Sequence, residues 1–129
     1  MFENLDVFRM SSAMARHAGQ RQAVVAENVA NADTPGYIAR DVMDFQSTYV
    51  PTETHANLRA TRAKHLFGKM GDDTLPAAVE MKDQATPNGN QVSIETEMLK
   101  SVGAKRQHDR ALAIYKNGIS VLRSTLRSS

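Results

Sequence analysis

The chain has 129 residues, about one domain's worth, and with its seven glycines an apolar share of about 46%, an ordinary globular value. Sixteen Lys and Arg against fourteen Asp and Glu leave +2, too small an excess to point to nucleic acid or an anionic membrane; seven aromatics without tryptophan suit a base-stacking platform poorly. With no cysteine, disulfides, zinc-thiolate sites, iron–sulfur clusters and thiol nucleophiles are excluded.

The N-terminus, MFENLDVFR, carries Glu3 and Asp6 and lacks the basic and apolar runs of a cleaved signal peptide. No eighteen apolar residues follow one another, so no transmembrane helix is expected. Composition divides the chain into three zones. Residues 1–50 sum to −2, residues 51–90 to zero and residues 91–129 to +4. The expected organisation is an N-terminal helix with its turn (1–50), a middle segment (51–90) and a C-terminal helix (91–129), together one elongated domain.

In the first zone, Leu5 to Asn31 is free of proline. Val7, Met10, Met14, His17, Arg21, Val24, Asn28 and Asn31 recur at spacings of three and four, beside a second row through Phe8, Ser11, Ala15, Ala18, Gln22, Val25 and Val29. The pattern predicts one long helix with a broad stripe, apolar at its ends and more polar between. Asn4 suits the N-cap. Asp33-Thr34-Pro35-Gly36 stops the helix, because proline cannot continue it and Thr34 before proline is pushed to extended geometry. Pro35-Gly36 suits the centre of a type II turn. Asn28 and Asn31 share a side of the last helical turn, where their amides can reach orphan carbonyls or a neighbour. Tyr37 leaves the turn with an apolar ring and a polar tip, a combination suited to interfaces.

The middle zone shows no sustained period. Prolines 51, 76 and 87 and glycines 68, 71 and 89 interrupt it, and Pro87 to Asn90 is a turn cluster. A short strand could run from Val79 to Lys82. In the third zone, Ser93 caps a helix reaching Leu126, with Glu95 and Glu97 near its positive end and Arg123 and Arg127 near the other. Leu112, Tyr115, Ile119, Leu122 and Leu126 form an a/d seam that continues backwards through polar His108, Lys105 and Ser101 to Met98 and Ile94.

Helices of this length run about 40 and 51 Å, whereas a compact chain of this size has a radius of gyration of roughly 14 Å. Either the helices break at Gly19 and Gly103, or they form an elongated pair whose stripes need partners.

Sites for chemistry are scarce. The histidines at 17, 55, 65 and 108 have no metal-ligand spacing. Asp41 and Asp44 could share a helix face, and Asp72-Asp73 reads as a solvated turn. Nucleophile elbows and glycine-rich phosphate loops are absent, so nothing supports an enzyme and no cofactor is implied. The basic residues of the last helix do not gather on one face, against a nucleic-acid role.

Asn28-Val29-Ala30-Asn31-Ala32-Asp33-Thr34-Pro35-Gly36-Tyr37 resembles the signature of bacterial flagellar axial proteins, the rod, hook and hook-associated proteins. Residues 39–46 (ARDVMDFQ), 61–66 (TRAKHL) and 89–98 (GNQVSIETEM) are similar to its proximal-rod members. The resemblance implies a mainly α fold, with the two terminal helices paired as an elongated antiparallel coiled coil and an irregular, extended middle segment. It implies a structural, non-enzymatic subunit of the periplasmic rod, exported without a cleaved signal peptide, packed around the export channel and transmitting torque. Expected partners are further copies of the chain, neighbouring rod proteins, a basal adaptor subunit and export-gate proteins.

Expected assembly residues are Val24, Val25, Asn28, Val29, Asn31, Thr34, Pro35, Gly36 and Tyr37, with Leu112, Tyr115, Ile119, Leu122 and Leu126 packing on the three valines or on a neighbouring subunit. A lone hairpin buries few such side chains, each contributing about 1.5–3 kcal/mol. Ordering costs about 1–2 kcal/mol per residue. Helices that order on assembly are therefore expected. The competing class is a free-standing helical adaptor or chaperone of a type III export system, with its stripes self-satisfied.

Overall fold

The computed structural model describes residues 2–49, 78–80, 89 and 92–127, and the side chains of all of these except 2–5. Most of the middle segment, with the 61–66 motif, Asp72-Asp73, His55 and His65, lies outside the described residues. Helix α1 spans Phe2–Ala30, strand β1 Arg40–Val42, helix α2 Phe45–Thr48, strand β2 Ala78–Glu80 and helix α3 Ile94–Arg127.

The two long helices run unbroken through Gly19 and Gly103. At 29 and 34 residues they extend about 43 and 51 Å. They pack antiparallel: Phe8 meets Tyr115, His17 meets Gln107, Gln22 meets Ser101 and Asn28 meets Glu97. The predicted elongated helical fold is thus the observed one. Helix α1 starts at Phe2, so Asn4 lies inside its first turns instead of capping it. The Ser93 cap of α3 stands as expected, its hydroxyl accepting from the Thr96 amide at 3.5 Å.

Small residues line the contact between the helices. Ser11, Ala18 and Val25 of α1 are buried seven apart, and so are Glu97, Ala104 and Ala111 of α3. The inner line of α3 therefore runs through Ala111, not Leu112, and its predicted phase needs correction. Leu112 and Leu126 are exposed, while Ile119 and Leu122 are half-buried. The expected packing of Val24, Val25 and Val29 on Leu112 to Leu126 does not occur within the chain, because the antiparallel register puts those groups at opposite ends of the pair. The seam counted apolar residues alone, whereas the structure turns Glu97 inward to meet polar partners on α1.

Beyond α1 the chain reverses and runs back along it. Asn28 holds Arg40, Arg21 holds Asp41, and His17 holds Met43. β1 also pairs antiparallel with β2, with Asp41 opposite Val79. β2 is placed one residue before the predicted start at Val79. Asp41 therefore lies in a strand and Asp44 just ahead of α2, so the two carboxylates do not share a helix face.

Candidate assembly site

The 28–37 segment closes α1 and turns the chain back along it. The Asn31 side-chain amide donates to the Glu27 carbonyl at 2.8 Å, satisfying an orphan helix-end acceptor. The Tyr37 amide donates to the Thr34 carbonyl at 3.3 Å across Pro35 and Gly36. Gly36 has φ +74°, as the third position of a type II turn requires, and a side chain there would strain the backbone. Gly89 also has φ +74°, and a Cβ on it would lie 3.7 Å from Gly36 Cα, so the two turns meet at this end of the molecule.

Asn28 is fully buried and uses its whole hydrogen-bonding inventory. Its amide nitrogen donates to the Arg40 carbonyl at 2.7 Å and to Glu97 Oε2 at 3.0 Å. Its oxygen accepts from the Arg40 amide at 3.0 Å and from the Tyr37 hydroxyl at 3.3 Å. One side chain thus joins α1, the turn, β1 and α3. Burial, reinforced by the charge of Glu27, pushes the Tyr37 phenol up, which keeps it a donor.

Charged groups extend the network. Glu97, 1% exposed, also accepts from Lys100 Nζ at 2.9 Å. Lys100 lies 3.4 Å from Asp41 Oδ2. Arg21 grips the same carboxylate from α1, Nε to Oδ1 at 3.1 Å and a second nitrogen to Oδ2 at 3.4 Å. Burial alone would push the Asp41 carboxyl up. The Arg21 hydrogen bonds, the Val42 amide at 2.7 Å and the charges of Arg21 and Lys100 outweigh it and hold the group below its ordinary value. Burial likewise disfavours the Lys100 cation, but Glu97 and Asp41 reverse the balance and raise it. Two cations and two carboxylates neutralise one another where an unpaired charge would be costly.

His17, buried mid-helix, donates through Nε2 to the Met43 carbonyl at 2.7 Å and accepts at Nδ1 from the Gln107 amide at 3.1 Å. Its ring meets Phe45 edge-on. It is a structural pin between three segments. Among the described residues no group of three metal-binding side chains converges.

The anticipated assembly residues divide into two sets. Val24, Val25 and Asn28 are buried within the chain. Val29, Thr34, Pro35 and Gly36 are exposed, with Asn31 and Tyr37 half-buried. On α3, Leu112, Tyr115 and Leu126 are exposed and Ile119 and Leu122 half-buried. Sequence reasoning missed Glu97, Lys100, Arg21 and Asp41 as one network. It also missed Leu99 and Val102, 75% and 50% exposed on α3, and read Met98, 63% exposed, as a continuation of the seam. A helical wheel could have found these three, since they cluster about half a turn from Glu97 and Ala104.

A family model described as flagella basal body rod protein matches residues 10–37, most of α1 and the turn. The flagellar basal body rod protein FlgB of Agrobacterium fabrum is 32% identical over 120 residues, covering 88% of this chain and 87% of the relative. FlgB of Escherichia coli is 28% identical over 137 residues, with 99% of each chain covered. FlgB of Cereibacter sphaeroides is 28% identical over 109 residues, with 83% of each covered. With the helix pair and the Asn28-to-Tyr37 turn, these likenesses identify a structural component of the flagellar rod: the chain belongs to the FlgB family of flagellar basal body rod proteins.

Proposed function

We propose that the chain is a proximal-rod subunit that assembles through the outer faces of its helix pair, in coiled-coil packing around the export channel, and transmits torque through that packing. Residues 1–50 and 91–129 act as one elongated axial unit, with 51–90 as the segment between them. The subunit reaches the periplasm through the flagellar export apparatus without a cleaved signal peptide. Its partners are further copies of the chain, the next rod proteins, the basal adaptor subunit and export-gate proteins.

The observation that carries this reading is the distribution of apolar side chains. The central contact between α1 and α3 runs through small residues, Ser11 and Ala18 against Ala104 and Ala111, while the large apolar Met98, Leu99 and Val102 of α3 are exposed. A self-contained hairpin gains nothing from that arrangement, whereas an assembled subunit buries those side chains against a neighbour. The exposed share of the anticipated set, Val29 and Thr34 to Gly36 with Leu112 and Leu126, offers further surface to neighbouring subunits.

The test is Leu99→Glu in the chromosomal copy. The expected result is normal expression and export, no swimming, and basal bodies without a completed rod. Swimming at wild-type speed would remove Leu99 from the assembly surface.

A further inference from the structure

The contact between α1 and α3 is poorly able to define its own alignment. One buried row on each helix repeats every seven residues, Ser11, Ala18 and Val25 on α1 and Glu97, Ala104 and Ala111 on α3, and four of these six are small. Sliding one helix by seven residues sets small against small again, with little change in apolar burial. Asn28 and Glu97 break this near-degeneracy. Each is almost wholly buried, and they bond to one another at 3.0 Å. A seven-residue slip that brings Asn28 opposite Ala104 leaves its amide without the carboxylate and parts Glu97 from its α1 partner.

We propose that the Asn28–Glu97 pair is a register lock: it selects the native intramolecular alignment of the terminal helices over slipped and intermolecular pairings. Buried polar pairs in helix–helix contacts are best attested in this role. Lys100 completes the Glu97 carboxylate from the same helix and so follows it in any slip; the Asn28 bond crosses between helices, as do His17–Gln107 and Gln22–Ser101, and of the three it is the one with both side chains almost wholly buried. At the far end, Phe8 lies over Gly118, where a Cβ would come within 3.1 Å of its ring. That close fit marks the same register by shape. The lock concerns alignment within one chain, so it stands or falls apart from the proposed rod contacts.

The chain has no cysteine, so introduced pairs report alignment cleanly. Gln22→Cys with Ser101→Cys reports the native register, because those side chains touch at 3.3 Å. Val29→Cys with Ser101→Cys reports the slip of one heptad that brings Asn28 opposite Ala104, a displacement of about 10 Å along the helix. Each pair is oxidised in full-length protein, with and without Asn28→Leu plus Glu97→Leu. Intramolecular and intermolecular disulfides are separated on non-reducing gels, and helix content is followed by circular dichroism. With the native pair intact, native cross-linking should exceed slipped cross-linking about tenfold, the scale of one buried charge-assisted hydrogen bond. In the double-Leu background the ratio should fall towards one and disulfide-linked dimers should appear, while both helices persist and the chain melts lower because Arg40, Tyr37 and Lys100 lose partners. An unchanged ratio would overturn the lock. Glu97→Gln keeps an acceptor for Asn28 and should keep the native ratio; if it behaves like the double-Leu chain, hydrogen bonding does not set the register.

Discussion

Asn28 and Glu97 meet inside the helix pair, one from each terminal segment, at 3.0 Å and almost out of reach of water. Removing one partner differs from replacing both. Asn28→Ala strands one Glu97 oxygen and unpairs both backbone groups of Arg40. The expected cost is about 3 kcal/mol, since an orphaned buried group costs about 1–3 kcal/mol and a charged one more. Urea unfolding followed at 222 nm should show the loss, and Asn28→Asp should be at least as damaging because it sets a carboxylate against Glu97.

The Gly36 turn predicts a separate effect. With φ at +74° and no atom within 4 Å of the place a Cβ would take, the penalty for a side chain there is backbone strain rather than a clash. Gly36→Val should cost about 1–2 kcal/mol, while Gly36→Asn should be milder, because Asn tolerates left-handed geometry. The turn also meets Gly89, so its distortion reaches the segment leading into α3. The valine chain should be expressed and non-motile, and the asparagine chain should swim. Wild-type swimming by Gly36→Val would mean that the turn conformation is dispensable.

Much of this architecture was legible in the sequence, and the exceptions have physical causes. Pro35 and Ser93 mark where the long helices end and begin because each acts through its own backbone or side chain. Pro35-Gly36 likewise encodes its turn locally, and Asn31 caps its own helix. The phase of α3 was not legible. Glu97 and Lys100 look solvated on any hydropathy scale, and they turn inward only because Asn28, Arg21 and Asp41 arrive from elsewhere in the chain. β1 escaped notice for the same reason: three residues pair with β2 far along the chain and carry no period of their own. The two-row stripe on α1 anticipated its buried positions better, since Ser11, Ala18, Val24 and Val25 all lie in it.

The Arg21–Asp41–Lys100 cluster makes stability depend on pH in a stated direction. Asp41 titrates below its ordinary value of 3.8 in the folded chain. Its contribution is therefore complete above about pH 5 and is lost as pH falls through 3.8 towards the folded value. Lys100 is raised above 10.5, so its contribution is complete below that value and is lost as pH rises through the folded one. Other carboxylates titrate in acid as well, so the informative quantity is the stability difference between the wild type and Asp41→Asn. That difference should be largest near neutrality and shrink below about pH 4. A difference that stays constant into acid would mean that Asp41 acts through shape alone.

The three helical glycines should respond differently to alanine. Gly19 and Gly103 have nothing within 4 Å of an added Cβ, so Gly19→Ala and Gly103→Ala should each stabilise the helix pair by about 1 kcal/mol through helix propensity. Gly118 differs because its Cβ would sit 3.1 Å from two atoms of the Phe8 ring. That ring also meets Tyr115 edge-on at 5.2 Å, so moving it loosens the aromatic contact at this end of the pair. Gly118→Ala should therefore forfeit most of the propensity gain, and Gly118→Leu should destabilise. Thermal melts of the four variants check the order. Motility adds a second axis: Gly103 is exposed on α3 beside Leu99 and Val102, the surface assigned to a neighbouring subunit. A Gly103→Ala chain that melts higher yet swims poorly would place close helix packing at that surface, whereas gains in both would leave Gly103 facing solvent in the assembled rod.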